Sequence, residues 1–326
     1  MLITRTPLRI TLGGGGTDLP SYYEPYGGMV LSAAISKHIY VSINQTFTDD
    51  YFLKYSMLER VTRVDQIEHP IIREILRAHD IGPAVEIAST ADIPSGTGLG
   101  SSGSFTVGLL KAVHAVQRAP VSASELGREA CEIEIDRLGR AVGKQDQYIA
   151  AFGGVTRFDF RSDGTVDVIP TKISAETVYD LEAQLLLFFT GYARDAEKVL
   201  LEQKSKSERG DMAMIDNLHY VKDLGSRSLV ALEAGQTGDF ADLMHEHWQH
   251  KKKRSSSISN PRIDHLYEVG LAHGARGGKL VGAGAGGFLL FYADDARSLR
   301  SAMREEGLTE LRFGFDHDGS TLIVRE

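Results

Sequence analysis

The chain has 326 residues, of which 42% are hydrophobic and 25% are charged, a composition typical of a folded, water-soluble protein with about two domains. Its formal net charge of −8 excludes the overall positive field that attracts nucleic acids and anionic membranes, so we expect neither as a partner. The single cysteine, Cys131, excludes an internal disulfide framework. Arg5 and Arg9 interrupt the N-terminal apolar run, which argues against a signal peptide. We therefore expect a cytoplasmic protein.

The chain begins with a predicted strand that runs into glycine. Residues 2–12 alternate apolar side chains with threonine and arginine, the pattern of a half-buried strand. Residues 13–16 are four consecutive glycines, followed by Thr17 and Asp18. Glycine runs cost conformational entropy on folding, so a folded protein keeps them where a ligand or another backbone must approach closely. From this segment alone, an ordinary loop is an equally good interpretation.

A glycine- and serine-rich segment, residues 94–102, which we call the central loop, lies between a strand predicted at 85–89 and a helix predicted from Ser102. Before this segment, the sequence predicts two paired strands, at residues 29–35 and 38–47, and a helix at residues 70–79. Glycine permits positive φ, and a helix start offers unpaired N–H groups, so this junction predicts a phosphate site. It is not a P-loop, since no lysine precedes the serines, and the GxGxxG pattern falls one residue short. A plain surface linker is the alternative, which the central Leu99 and the amphipathic helix disfavour.

Two carboxylates in the middle of the chain need an explanation. Glu134 falls on the packed side of a helix predicted for residues 122–138, where an ionised carboxylate is costly unless it meets a cation. That cation is either a metal ion or a buried arginine, and the helix alone favours neither. Asp146 precedes a short helix predicted at 148–151, where it is either a general base or an N-cap, and the local sequence favours the N-cap.

The second half is rich in predicted helix. We place the domain boundary after a predicted hairpin and a polar stretch, which gives domains 1–180 and 181–326. Helices are predicted at 196–205, 212–234, 239–250, 261–273 and 294–306, and a second glycine-dense loop lies within 277–291. Four cations at 251–254 precede three serines; a solvated face is the ordinary interpretation, but such a run can also grip a phosphorylated substrate. The nearby histidines lack the i,i+4 spacing of a helical metal pair, so we expect no metal there.

Three segments at the start, centre and end of the chain, residues 9–18, 94–102 and 279–288, together resemble the motifs of the GHMP small-molecule kinases, the family of galactokinase, homoserine kinase, mevalonate kinase and phosphomevalonate kinase. Within it, the chain is most similar to the heptose 7-phosphate kinases of bacterial surface-polysaccharide synthesis. That similarity rests on GGGGTDLPSYY (13–23), GKQDQYIAAFGG (143–154), HWQHKKKRSSSISNP (247–261) and GGKLVGAGAGGFLLFY (277–292). The first motif lacks the glutamate and histidine of the GEHTD of galactokinase, which argues against galactose.

The resemblance implies an α+β fold with two domains, the first like ribosomal protein S5 domain 2 and the second ferredoxin-like, with the site in the cleft between them. It implies transfer of phosphate from ATP, with Mg²⁺, to the anomeric hydroxyl of D-glycero-D-manno-heptose 7-phosphate, giving the 1,7-bisphosphate for surface-polysaccharide or nucleotide-heptose synthesis. Alternatives are a GHMP kinase for fucose, another hexose or a mevalonate-pathway acid, and a non-catalytic ligand sensor with this fold. A monomer and a homodimer are both open.

The resemblance also assigns roles to residues. The ATP phosphates would be held by Pro94, Ser95, Gly96, Thr97, Gly98, Leu99, Gly100, Ser101 and Ser102. Ser102 and Glu134 would bind Mg²⁺ through hard oxygen donors, with Glu132 as the alternative carboxylate. Asp146 would take the proton of the attacking hydroxyl with Arg9 beside it, and the third motif would support the central loop. The substrate would be held by Gly14, Gly15, Gly16, Thr17 and Asp18 on the sugar, and by Lys252 and Arg254 on its phosphate.

Overall fold

A computed structural model describes residues 1–191, 196–284 and 286–325, without the side chains of residues 196–198; Ala285 of the third motif lies outside the described residues. The strands are β1 (Leu2–Gly13), β2 (Gly28–Gln45), β3 (Tyr51–Lys54), β4 (Leu58–Val61), β5 (Val85–Ala91), β6 (Val155–Phe160), β7 (Val166–Pro170), β8 (Leu185–Phe189), β9 (Ala275–Leu280), β10 (Phe288–Ala293), β11 (Thr309–Leu311) and β12 (Thr321–Arg325). The helices are α1 (Pro20–Tyr26), α2 (Pro70–Ala78), α3 (Ser101–Val116), α4 (Ala123–Cys131), α5 (Gln145–Phe152), α6 (Ala175–Gln184), α7 (Ala196–Glu208), α8 (Met212–Glu233), α9 (Thr237–Lys252), α10 (Pro261–Ala272) and α11 (Ala296–Glu305).

The first sheet is organised around two long antiparallel strands, β1 and β2. Its hydrogen-bonded order within the described residues is β12-β1-β2-β5-β3-β4, and β6 pairs with the opening part of β2 and with β7. The sequence predicts two strands at 29–35 and 38–47, and this is wrong, because β2 is continuous. A bulge at Ser36 and Lys37, opposite the step from Pro7 to Leu8, interrupts the alternation of its side chains.

Helix α3 packs on this sheet with its first turn against the middle of β1, where Oγ of Ser104 donates to the carbonyl of Pro7 at 2.7 Å. It contacts β1, β2, α4 and α5, and its buried side chains include Leu109, Leu110 and Val113. The contact with the sheet is close at Gly108, where a Cβ would lie 2.8 Å from Oγ1 of Thr6. The burial of this apolar face fixes the helix, and with it the central loop, against the sheet.

The second sheet has the antiparallel order β11-β8-β10-β9, which in chain order of its described strands is 4-1-3-2. This is the strand order of the ferredoxin-like fold that the resemblance predicts. Helix α9 packs on β9, and α8 packs on α9 as well as on β1 and β2, so α8 joins the two sheets. Helix α8 approaches β1 closely where two glycines meet, since a Cβ on Gly13 would lie 2.7 Å from Cα of Gly225.

The passage between the two sheets falls between β7 and β8, in the region of α6, and the predicted boundary at residue 180 lies within that helix. The last strand, β12, returns to the first sheet and pairs with β1, so residues 321–325 of the predicted second domain complete the first sheet. Among the helices in the described part of the chain, none has the length and apolar character needed to span a bilayer.

Candidate active site

The central loop adopts a backbone that requires glycine. Its positive-φ residues are Gly96 (+77°), Gly98 (+84°) and Gly100 (+80°). Thr97 and Leu99 are buried and anchor the loop, whereas Pro94 and Ser95 are exposed. Helix α3 then starts at Ser101, whose Oγ is buried and has no hydrogen-bond partner in the described chain. The first N–H groups of a helix have no carbonyl partner within it, so this junction is suited to an anion.

The third motif lies directly against the central loop, where the sequence analysis places it. A Cβ on Gly282 would lie 2.7 Å from Cα of Gly98, and a Cβ on Gly287 would lie 2.2 Å from the carbonyl oxygen of Thr97. Side chains at these positions would push the two loops apart. The glycines of the third motif therefore hold the central loop in place by close backbone contact.

Arg9 and Asp146 form a bidentate ion pair beside the central loop. Nε and Nη2 of Arg9 donate to Oδ1 and Oδ2 of Asp146 at 2.7 and 2.8 Å, and Nη1 donates to the carbonyl of Gly98. The side chain of Arg9 is 8% exposed and that of Asp146 is 28% exposed, so the carboxylate is the more accessible partner. The N-cap of α5 is Lys144, so the N-cap role that the local sequence favours for Asp146 is wrong.

Gly100 and Gly103 allow the first turns of α3 and α5 to pack together beside the Arg9–Asp146 ion pair. A Cβ on Gly103 would lie 2.8 Å from Cβ of Asp146 and 3.0 Å from the backbone N of Gln147. A Cβ on Gly100 would lie 3.0 Å from Cγ of Arg9. Because neither glycine carries a side chain, Asp146 packs directly against the first turn of α3.

Glu134 and Ser102 lie in contact on the other side of the start of α3. Glu134 sits on a π-helical turn, Glu132–Arg137, and its side chain is fully buried. The hydroxyl of Ser102 donates to its Oε2, Nη1 of Arg140 donates to the same oxygen at 3.1 Å, and Nε2 of Gln147 donates to Oε1 at 3.0 Å. Arg140 also donates to Oγ of Ser102 at 2.8 Å. The buried carboxylate therefore has an arginine as its cation in this structure.

The donor atoms fit a divalent cation. A carboxylate and a hydroxyl in contact are hard oxygen ligands of the kind that Mg²⁺ takes. Oε1 of Gln147, next to them, is buried and has no hydrogen-bond partner in the described chain. Glu132, the alternative carboxylate, is 38% exposed and pairs with Arg137 at 2.8 Å, away from Ser102. The position of Glu134 thus matches the predicted ligand pair, and that of Glu132 does not.

Part of the first motif faces the sheet. The hydroxyl of Thr17 donates to the carbonyls of Gly14 and Met29 at 2.9 and 2.8 Å and accepts from the N–H of Met29 at 3.1 Å. A Cβ on Gly14 would lie 2.0 Å from the carbonyl oxygen of Met29. The substrate contacts predicted for Thr17 and Gly14 do not fit these positions, because both residues fasten the loop to β2.

The rest of the first motif lines a cavity between the two sheets. Gly15, Gly16 and Asp18 face this cavity together with Gln145 and Asp146. Asp18 accepts hydrogen bonds from the N–H groups of Gly16 and Gln145 at 3.1 and 3.2 Å. Burial, and then the charge of Asp146, raise the pKa of Asp18. The oxygens of a carboxylate held in this way can accept a hydrogen bond from a sugar hydroxyl.

Three buried cations from the second half of the chain, Lys251, Arg254 and Lys279, line the same cavity; we call them the basic pocket. Nζ of Lys251 donates to the carbonyls of Leu280 and Gly282, and Nζ of Lys279 donates to that of Leu12 at 3.1 Å.

Arg254 is held from two sides. Its Nη1 donates to the carbonyl of Gly15 at 3.0 Å and its Nε to Oδ1 of Asn217 at 2.9 Å. Its Nη2 is buried and has no hydrogen-bond partner within the described residues.

Among the described residues, no carboxylate forms an ion pair with the three cations of the basic pocket. Burial, and then the neighbouring cations, lower the pKa of Lys251 well below its ordinary value and that of Lys279 to about 7. Burial also lowers the pKa of Arg254 to about 10. Asp18 and Asp146 are the carboxylates among the cavity-lining residues that the structure describes, and Asp146 is already paired with an arginine. A bound anion would relieve the repulsion between the cations.

Of the two residues of the basic run that the sequence analysis assigns to the substrate phosphate, Arg254 lines the cavity and Lys252 does not. Lys252 lies outside the cavity, where its Nζ is 3.5 Å from Oδ1 of Asp264 and 5.6 Å from the ring centre of Trp248. The phosphate role predicted for it does not fit this position, and Lys251 is the lysine of the run that lines the cavity. The missed residues carried a signal: Lys251 follows His247 at helical spacing on an apolar face, and Lys279 is a charge inside a glycine-rich strand.

Comparison with known proteins agrees with this architecture. The model of the GHMP kinases N terminal domain matches residues 62–154, and that of the GHMP kinases C terminal domain matches residues 228–308. The chain is 32% identical to a D-glycero-alpha-D-manno-heptose 7-phosphate kinase of Campylobacter jejuni, over 97% of each chain. A crystal structure described as a D-glycero-D-manno-heptose 1-phosphate kinase from Bacteroides thetaiotaomicron is 28% identical with a TM-score of 0.82 over 100% of both chains. A putative sugar kinase of Campylobacter jejuni is 29% identical with a TM-score of 0.77, over 99% of this chain and 98% of that one. The protein belongs to the GHMP kinase family.

Proposed function

We propose that the protein is an ATP- and Mg²⁺-dependent kinase that phosphorylates the anomeric hydroxyl of D-glycero-D-manno-heptose 7-phosphate to give the 1,7-bisphosphate. The observation that carries the proposal is the basic pocket, which lines the same cavity as the Arg9–Asp146 pair. A site for a sugar without phosphate has no need of buried cations, because each of them costs desolvation energy. A sugar that already bears a phosphate supplies the missing anion.

Phosphoryl transfer depends on positioning and on charge around the transferred group. The N–H groups at the start of α3 and along the central loop would hold the phosphates of ATP. Ser102 and Glu134 would hold Mg²⁺, with Arg140 moving from the carboxylate; the ion supplies positive charge that offsets the charge of the phosphates.

Asp146 would accept the proton of the anomeric hydroxyl while the hydroxyl oxygen attacks the γ-phosphorus of ATP. The bond between that phosphorus and the oxygen that leaves with ADP breaks in the same step. Arg9 would fix the orientation of that carboxylate through its two hydrogen bonds and would add positive charge beside the transferred group.

The two ends of the sugar would be recognised by different elements. The basic pocket would take the phosphate at C7, with Nη2 of Arg254 as the free donor. Asp18 and Gly16 of the first motif would meet the ring hydroxyls. The names of the relatives support a heptose phosphate as substrate, although one names a 7-phosphate kinase and the other a 1-phosphate kinase. We infer the 7-phosphate, because the relative named a 7-phosphate kinase is 32% identical over 97% of each chain, whereas the structure named a 1-phosphate kinase is 28% identical.

A panel of acceptors tests this proposal. ADP release would be followed with ATP and Mg²⁺ on heptose 7-phosphate, dephosphorylated heptose, mannose 6-phosphate, fucose, galactose and mevalonate. We expect kcat/KM to be highest for heptose 7-phosphate. Higher kcat/KM on a sugar without phosphate would contradict the proposed substrate, and ATP binding without turnover on the whole panel would favour the ligand sensor.

A further inference from the structure

A cluster of two histidines and a glutamate lies outside the cleft, where α2, α3 and α4 meet. His79 follows the last turn of α2, His114 is in the last turn of α3, and Glu129 is on α4. Nε2 of His79 lies 2.6 Å from Oε1 of Glu129, and Nε2 of His114 lies 2.8 Å from Oε2. One ligand atom from each of the three residues lies within 4.8 Å of the others. Nothing in the proposed phosphoryl transfer uses these residues.

The imidazole of His79 is oriented by a neighbouring amide, as metal-binding imidazoles are. Nε2 of His79 is buried and is the ring nitrogen that faces the carboxylate of Glu129. Nδ1 of His79 lies 3.4 Å from Oε1 of Gln117, and Nε2 of Gln117 donates to the carbonyl of His79 at 2.8 Å. A hydrogen bond from Nδ1 to Gln117 leaves Nε2 as the nitrogen that would release its proton when a metal binds between it and Glu129.

Access and charge are also compatible with an ion. The side chains of His79, His114 and Glu129 are 11%, 17% and 20% exposed, and a surface groove reaches His114 and Glu129. Two arginines line that groove, Arg128 and Arg137, and both pair with Glu132, at 3.7 and 2.8 Å, so neither is the partner of Glu129. Two imidazole nitrogens and one carboxylate, with an open position toward the groove, form a ligand set that Zn²⁺ takes.

We propose that His79, His114 and Glu129 form a Zn²⁺ site that fastens α2 and α4 to the C-terminal end of α3. The site is structural, because it lies at the end of α3 opposite the central loop. From Ser102 to His114 the helix rises roughly 18 Å, at about 1.5 Å per residue. A metal at one end of this helix would stabilise the element whose other end forms the anion site.

The test is a titration of the full-length, chelator-stripped protein with Zn²⁺ by calorimetry, in saturating Mg²⁺ so that hard oxygen sites are filled. We expect one Zn²⁺ per chain and a higher melting temperature with Zn²⁺. We expect His114→Gln and Glu129→Gln each to weaken Zn²⁺ binding by at least about tenfold. His265→Gln is the matched control, since His265 pairs with Glu306 at 2.9 Å on the surface and lies outside the cluster. It should leave the affinity unchanged.

Wild-type protein gives a second measurement that does not depend on the folding of any variant. With one equivalent of Cu²⁺ as a spectroscopic probe, the electron paramagnetic resonance spectrum should contain hyperfine coupling to imidazole nitrogen. Absence of Zn²⁺ binding, affinity unchanged in His114→Gln and Glu129→Gln, or a Cu²⁺ spectrum without nitrogen coupling would each overturn the proposal.

Discussion

Replacing Arg254 by glutamine tests how the substrate phosphate is recognised. Nη2 of Arg254 is buried in the cavity without a partner in the described chain, while its other nitrogens bind Gly15 and Asn217. In the proposed complex this group donates a charge-assisted hydrogen bond to the C7 phosphate. Arg254→Gln removes that donor and its charge, and leaves the substrate phosphate facing Lys251 and Lys279 alone.

The expected size of the effect follows from the energy of that bond. A hydrogen bond to a charged group contributes about 1.5–3 kcal/mol. At about 1.4 kcal/mol per factor of ten, its loss lowers kcat/KM for heptose 7-phosphate by roughly 10- to 150-fold. The same substitution should have much less effect on a heptose without phosphate, because that sugar never makes the bond.

The assay is steady-state kinetics of wild type and Arg254→Gln with heptose 7-phosphate and with dephosphorylated heptose. Lys252→Gln is the matched control, since Lys252 is the adjacent cation outside the cavity and should have wild-type kinetics. A melting curve checks that loss of the contacts to Gly15 and Asn217 leaves the variant folded. An equal loss on both sugars would refute the reasoning, because it would make Arg254 a structural residue.

Three further predictions concern the proton acceptor, the metal and pH. Asp146→Asn should lower kcat by about 10²-fold or more, the scale of general-base catalysis, while calorimetry finds ATP binding nearly unchanged. Glu134→Gln should raise the Mg²⁺ concentration needed for half-maximal rate at least about tenfold, whereas Glu132→Gln should not, because Glu132 lies away from Ser102. Burial and neighbouring cations lower the pKa of Lys279 to about 7, and a lysine loses its charge as pH rises through its pKa, so KM for heptose 7-phosphate should rise above about pH 7.

Each of these has a contrary outcome. Wild-type kcat in Asp146→Asn would mean that positioning alone carries the reaction. Equal Mg²⁺ requirements in Glu134→Gln and Glu132→Gln would remove Glu134 from the metal site. A KM that stays constant as pH rises through 7, or the same rise in Lys279→Met, would separate Lys279 from phosphate binding.

Features encoded by neighbouring residues were predictable from the sequence. The glycines of the central loop and the start of α3 follow from local rules, since positive φ and helix starts leave a direct signal. The helical periodicity also placed Glu134 on the packed face, although that segment is a π-helical turn. The sequence left a metal and an arginine open as its cation; Arg140 is in contact with it, beside a serine hydroxyl that fits a metal.

Features that depend on distant contacts were not predictable. Arg9 and Asp146 are 137 positions apart, and local residues around Asp146 indicated an N-cap. The choice between Lys251 and Lys252 depends on how α9 packs against β9, which a run of like charges does not reveal. Helix α6 was missed because it buries few side chains, among them Thr177 and Leu181, so its periodicity is weak.

The position of the new phosphate is the measurement that tests the central claim most directly. Wild-type protein would be incubated with ATP, Mg²⁺ and heptose 7-phosphate, and the product examined by phosphorus–proton correlation NMR. The proposed function predicts a second phosphate signal correlated with the anomeric proton, while the C7 phosphate stays correlated with the two protons on C7. ADP formation without that signal, or a new phosphate correlated with any other proton, would contradict it.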